Sequence, residues 1–149
     1  MGVDEEVSAS GAGPESIRNM ARVLVIDDQA HVRGAICVAL RARGFEVVAV
    51  ESGRMGLTEL EKASFDLVMV DIYMPEMDGI QFIKVLRQRM PNLPIIVMSG
   101  VLYRGTGGSA LDVLPMARHL TNIVSLRKPF RAGELLQAVR DAMSIVATQ

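Results

Sequence analysis

The chain has 149 residues, 16 Lys and Arg against 17 Asp and Glu, and a 50% hydrophobic share, enough for one core-bearing domain that needs neither disulfides nor structural zinc. A single cysteine excludes an internal disulfide and a multi-cysteine metal site, no apolar run reaches the roughly 18 residues of a membrane span, and no signal-peptide pattern opens the chain. Balanced charge, 4% aromatic residues and no tryptophan give no basis for nucleic-acid binding, so the expectation is a cytoplasmic protein without nucleic-acid or membrane partners.

Residues 1–20 mix Gly, Ser, Ala and Pro with Asp4, Glu5, Glu6 and Glu15, the composition of a disordered acidic tail ahead of one domain over 21–149. From Arg22 onward, short β-branched runs alternate with segments of helical spacing. The runs Val23–Ile26, Phe45–Val50, Leu67–Val70, Ile95–Met98 and Ile123–Val124 predict five buried strands. Val32, Ala35, Ile36, Ala39 and Leu40 predict a helix that stops near Gly44. Ser52–Ala63 predicts a weaker one, with Leu57 and Leu60 on its apolar side. Ile80, Ile83, Leu86 and Met90 follow Asp78, a suitable N-cap, and Pro91 ends that helix. Over 100–120 a glycine-rich loop precedes a short or broken fourth helix containing Pro115. Leu135, Leu136, Val139, Ala142, Met143 and Val146 mark the last helix. This alternation predicts an α/β domain, a doubly wound five-stranded parallel sheet.

Chemistry-bearing residues follow the strands. Asp27 and Asp28 close the first, Asp71 the third and Ser99 the fourth, while Lys128-Pro129 follows the fifth. Ligands of open α/β sheets bind at the carboxyl ends of strands, so these residues should converge. Two carboxylates about 5 Å apart repel by roughly 3 kcal/mol at an effective dielectric near 20, so the cluster calls for a cation, and hard oxygen donors favour magnesium. A carboxylate beside magnesium, an ammonium and a hydroxyl suits nucleophilic phosphoryl transfer. Asp71 is the candidate nucleophile, because it ends the central site-bearing strand and leads into the Met74-Pro75-Glu76-Met77-Asp78-Gly79 turn.

Taken one at a time, these residues have plainer uses. Asp27 or Asp28 could cap the following helix, Ser99 could bond the local backbone, and Lys128 could be a solvated surface charge. His31 and His119 read as exposed residues without a role, Cys37 as packing, and the ten methionines as core filler.

As an ordered set, Asp27-Asp28, Asp71 with Met-Pro-x-Met-Asp-Gly, Ser99 and Lys128-Pro129-Phe130 resemble the receiver domain of bacterial two-component response regulators, over about Ala21 to Val146. The resemblance implies the flavodoxin-like strand order 2-1-3-4-5 and phosphoryl acceptance on Asp71 from a histidine kinase or histidine phosphotransfer protein. It implies Mg²⁺ held directly by Asp28, Asp71 and the backbone carbonyl of Tyr73, with Asp27 acting mainly through water. It also implies Ser99 and Lys128 on the phosphoryl oxygens and a cis Lys128-Pro129 bond. The expected protein is therefore a stand-alone receiver in phosphorelay signal transduction. It is not a turnover enzyme, and it acts on an unknown downstream protein or passes phosphate onward.

Two departures stand out. Ser125 occupies the position three before Lys128 where receivers usually carry an aromatic switch residue, and the Ser99–Lys128 interval exceeds the usual spacing. The expectation is that Gly100–Leu120, with Tyr103, takes over signalling by changing order on phosphorylation. Three alternatives remain. One is a docking module of the same fold without phosphorylation, and another a Mg²⁺-dependent aspartyl-nucleophile phosphohydrolase, which would need an acid/base where Tyr73 stands. The third is a flavin or nucleotide carrier, for which the Asp-Asp-Gln turn lacks a glycine-rich cradle.

Overall fold

In the computed structural model the described residues are 21–74, 77–100 and 122–147, and five strands and four helices alternate along them. They are β1 (Arg22–Ile26), α1 (Ala30–Arg41), β2 (Glu46–Val50), α2 (Gly53–Lys62), β3 (Leu67–Asp71), α3 (Gly79–Arg89), β4 (Ile95–Ser99), β5 (Ile123–Arg127) and α4 (Ala132–Ala147). All pairings are parallel, as the alternation of strands and helices predicts, and the sheet order is β2-β1-β3-β4-β5, as the receiver resemblance implies. The acidic tail and the irregular helix, with Tyr103 and His119, lie outside the described residues.

Continuous apolar strands are needed because both faces of the sheet are covered. In β1, Val23 and Val25 turn toward one layer with Ile36 and Leu40 of α1 and Leu135, Val139 and Ala142 of α4. Leu24 and Ile26 turn the other way, toward Leu60 of α2 and Phe82, Ile83 and Leu86 of α3. The period of two along each strand thus builds two cores from one apolar run. Cys37 packs at the edge of the first layer.

Helix ends follow local chemistry. Ser52 Oγ accepts a hydrogen bond from Met55 N at 3.2 Å, and Asp78 Oδ1 accepts one from Gln81 N at 2.8 Å. Asp78→Ala removes that cap, and the expected loss is about 1 kcal/mol in urea unfolding. Gly44 takes φ 91° after α1, a conformation costly for a residue with a Cβ. Neither Asp27 nor Asp28 caps α1: Gln29 holds the N-cap position, without a side-chain cap bond. The carboxylates are thereby left for other work.

The far ends of α3, β4 and β5 are tied together by one side chain. Arg87 donates to the carbonyls of Met90 (3.1 Å), Leu93 (2.7 Å) and Asn122 (3.3 Å). Asn122 enters β5 at φ 62°, in the left-handed region that asparagine tolerates better than most residues.

Candidate functional site

The carboxyl ends of β1, β3, β4 and β5 meet at one edge of the sheet. Asp27 is fully buried, and its N–H continues the β1–β2 ladder to Val50 O at 3.1 Å. Each of its oxygens is engaged. Oδ1 accepts from Gln29 N at 2.9 Å, the carbonyl accepts from Arg33 Nη1 at 2.7 Å, and Oδ2 lies 2.6 Å from Lys128 Nζ. Asp28, the next residue on the same turn, is exposed. Asp71 ends β3, 5% exposed, with Oδ1 accepting from Tyr73 N at 3.1 Å and Oδ2 accepting from Lys128 Nζ at 3.0 Å.

Lys128 arrives from the other side of the sheet. Its N–H donates to Ser99 O at 2.7 Å, extending the β4–β5 ladder, and its ammonium spans Asp27, Asp71 and Gln29 Oε1, the last at 3.1 Å. The Lys128-Pro129 bond is cis. Ser99 is buried at the end of β4, one residue beyond the Asp71–Met98 pairing. Sequence reasoning therefore placed Asp27, Asp28, Asp71, Ser99 and Lys128 at one edge, and the structure gathers them there.

Burial pushes the Asp71 carboxyl above the ordinary carboxylate range; Lys128 draws it back only in part, and Asp27 adds to the rise. For Lys128, burial alone would lower its basicity, but the carboxylates of Asp27 and Asp71 outweigh that, so its proton is held more tightly than usual.

Asp27, Asp28 and Asp71 each present a carboxylate oxygen, all within 4.8 Å of one another. Three carboxylates against one ammonium leave two negative charges, which one divalent cation balances. Hard oxygen donors, no thiolate or imidazole among the three, and an exposed member at the mouth suit magnesium, which keeps several of its waters. Both oxygens of Asp27 and both of Asp71 already face protein donors, while Asp28 is exposed.

Two contributors escaped the sequence reading. Gln29 supplies the third acceptor of the Lys128 ammonium across 99 positions, and no local pattern signals such a pair. Arg33 holds the Asp27 carbonyl; its position one turn into α1 was the only available clue. A cleft of about 410 Å³ opens beside this edge, lined by Gln29, His31, Val32, Lys128, Pro129 and Phe130 among others.

The parallel sheet, the acidic triad and a lysine immediately before a cis-proline are together the pattern of a receiver-type domain, and residues 23–140 match the response regulator receiver domain. The chain belongs to that family. It is 36% identical over 119 residues to the response regulator protein FleR of Pseudomonas aeruginosa, covering 80% of this chain and 24% of FleR. It is also 36% identical over 124 residues to the chemotaxis protein CheY of Bacillus subtilis, covering 83% of this chain and 98% of CheY. The chain thus spans about a quarter of FleR and nearly all of CheY. Among solved structures, chemotaxis protein CheY4 of Vibrio cholerae superposes with a TM-score of 0.73 at 27% identity, covering 83% of this chain and 98% of that one. A receiver protein from Sinorhizobium medicae gives 0.72 at 29%, covering 85% and 97%.

Proposed function

We propose that this receiver accepts a phosphoryl group on Asp71 from the phosphohistidine of a kinase or phosphotransfer protein and signals through the change in Asp71's charge. The observation that carries this is the Lys128 ammonium 3.0 Å from Asp71 Oδ2 inside a triad of carboxylates. An Asp71 oxygen attacks phosphorus as the bond to the imidazole nitrogen breaks, and the imidazole leaves with a proton from solvent. Lys128 and Ser99 take up the phosphoryl oxygens, and the Tyr73 N–H orients the carboxylate by its bond to Oδ1. Asp28, Asp71 and the Tyr73 carbonyl would hold Mg²⁺ directly, with Asp27 acting through water. When bound, the ion neutralises charge on the transferring group. The domain is a switch rather than a turnover catalyst. Its output goes to protein partners or onward phosphate flow, and the near-complete match to a chemotaxis protein supports that assignment.

Incubation with magnesium and acetyl phosphate is expected to give one acid-stable, base-labile adduct per chain, and none in Asp71→Asn. Labelling of Asp71→Asn to the wild-type level would sink the assignment, and rapid turnover of phosphate monoesters would point to a hydrolase. A second reading rests on Ser125, which is exposed on β5 opposite Val97 and cannot act as an inward-turning aromatic. It makes the domain a docking module indifferent to phosphate, and an unlabelled wild type that still binds partners would favour it. The expected reordering of Gly100–Leu120 concerns residues that, beyond Gly100, lie outside those described.

A further inference from the structure

An ammonium has three N–H donors and accepts nothing. The Lys128 ammonium meets three oxygens: Asp27 Oδ2 at 2.6 Å, Asp71 Oδ2 at 3.0 Å and Gln29 Oε1 at 3.1 Å. Two belong to the acid pocket. The third belongs to an exposed, neutral side chain at the N-cap of α1. Gln29 and Lys128 also line the same cleft, together with His31, Val32, Pro129 and Phe130. The Gln29–Lys128 hydrogen bond therefore joins the turn after β1 to the turn after β5, at the boundary between acid pocket and cleft.

We propose that Gln29 is a positioning residue, a resting-state latch whose bond to Lys128 is released when Asp71 carries a phosphoryl group. This deepens the proposed function and rests on it. Once phosphorylated, Asp71 is no longer a carboxylate, and the anionic phosphoryl oxygens compete for the Lys128 ammonium with the ion-paired Asp27 and with the neutral amide of Gln29. Hydrogen bonds from an ammonium to a carboxylate are stronger than those to a neutral amide, so the bond to Gln29 yields first. Its loss frees the Gln29 side chain on the wall of the cleft, while the Lys128–Asp27 ion pair still holds the base of the two turns together. The occupancy of Asp71 thereby reaches the protein surface without an aromatic at position 125.

The latch makes opposite demands on two substitutions of similar size. Gln29→Leu removes the acceptor, and Gln29→Glu replaces it with a stronger one. The probe is beryllofluoride with magnesium, with binding followed together with the methyl NMR signals of Val32 and Ala35, which line the cleft. In wild type those signals should move on binding. In free Gln29→Leu they should already lie part of the way toward the bound position, with beryllofluoride binding about fivefold tighter; in Gln29→Glu binding should be about fivefold weaker. Binding changes in the same direction for both variants, or free Gln29→Leu signals that coincide with wild type, would overturn the latch. If wild type itself fails to bind beryllofluoride at Asp71, the receiver function fails instead, so the two outcomes are distinguishable.

Discussion

Lys128→Met should cost the magnesium-free chain about 3–5 kcal/mol, because removing one partner of a buried ion pair strands the other. Here two partners are stranded, since Asp27 is fully buried and the Asp71 side chain is 7% exposed. With a urea slope of roughly 2 kcal/mol/M, the midpoint should fall by about 2 M. Two conditions should restore part of the loss. Millimolar magnesium supplies a replacement cation and should narrow the gap between variant and wild type.

Acid should narrow it too, and the sign follows from the directions of the shifts. The Asp71 carboxyl is raised in the fold, so its contribution to stability is fully present below its ordinary value of 3.8 and is lost as pH rises through the raised one. Lys128 is also raised, so its contribution is present at neutral pH and lost only as pH climbs beyond 10.5 through its folded value. The deficit of Lys128→Met is therefore largest near neutrality, where the carboxylates are ionised, and shrinks as mild acid protonates Asp71. A deficit independent of both magnesium and pH would mean that lost packing, not stranded charge, is responsible.

Gly79→Ala is the second large effect. A Cβ on Gly79 would lie 2.5 Å from Asp71 O and 2.7 Å from Ile72 Cα. Both are backbone atoms, so no rotamer change relieves the contact. The Gly79 N–H meanwhile donates to Ile72 O at 2.7 Å, which holds α3 against the end of β3. The clash must be relieved by moving α3 away or by displacing the backbone of Asp71. An overpacking cost of about 2–3 kcal/mol is expected. If Asp71 moves by about 1 Å, labelling by acetyl phosphate should slow by roughly a hundredfold. Gly34→Ala is the contrasting substitution, since nothing lies within 4 Å of the added methyl on α1. It should stabilise the chain by about 0.5–1 kcal/mol through helix propensity and leave labelling unchanged.

The strands that proved easiest to find are those covered on both faces. β3 and β4 are buried at every position, so up to the terminal Asp71 and Ser99 their sequences are unbroken apolar runs with no competing period. β5 was found only in part. The run Ile123–Val124 marks its start, but the strand continues through Ser125, Leu126 and Arg127, of which only Leu126 is buried. It is one of the two edge strands, and its second half alternates exposed and buried positions instead of running apolar, so a search for continuous runs stops early. Strand order was supplied by family resemblance, because no residue within a strand records which neighbour it will pair with.

The site was legible for a related reason. Parallel strands end at one edge, so a residue that follows a strand has a known address before any contact is known. Asp27, Asp28, Asp71, Ser99 and Lys128 were all found by that rule. The contacts themselves were not. That both Asp27 carboxylate oxygens are committed, to Gln29 N and to Lys128, depends on side-chain directions that spacing does not encode. Gln29 has no motif at all, because its bond to Lys128 joins two turns at opposite ends of the chain.

The claim beneath these expectations is that one pocket of carboxylates grips a single divalent ion beside Asp71. Manganese, a hard cation that takes the same oxygen donors as magnesium, makes the pocket visible to electron paramagnetic resonance. Titration of the purified chain should show one bound ion, displaced by magnesium, with affinity sharply reduced in both Asp28→Asn and Asp71→Asn. Absence of binding at millimolar ion, or binding indifferent to those two substitutions, would contradict the account.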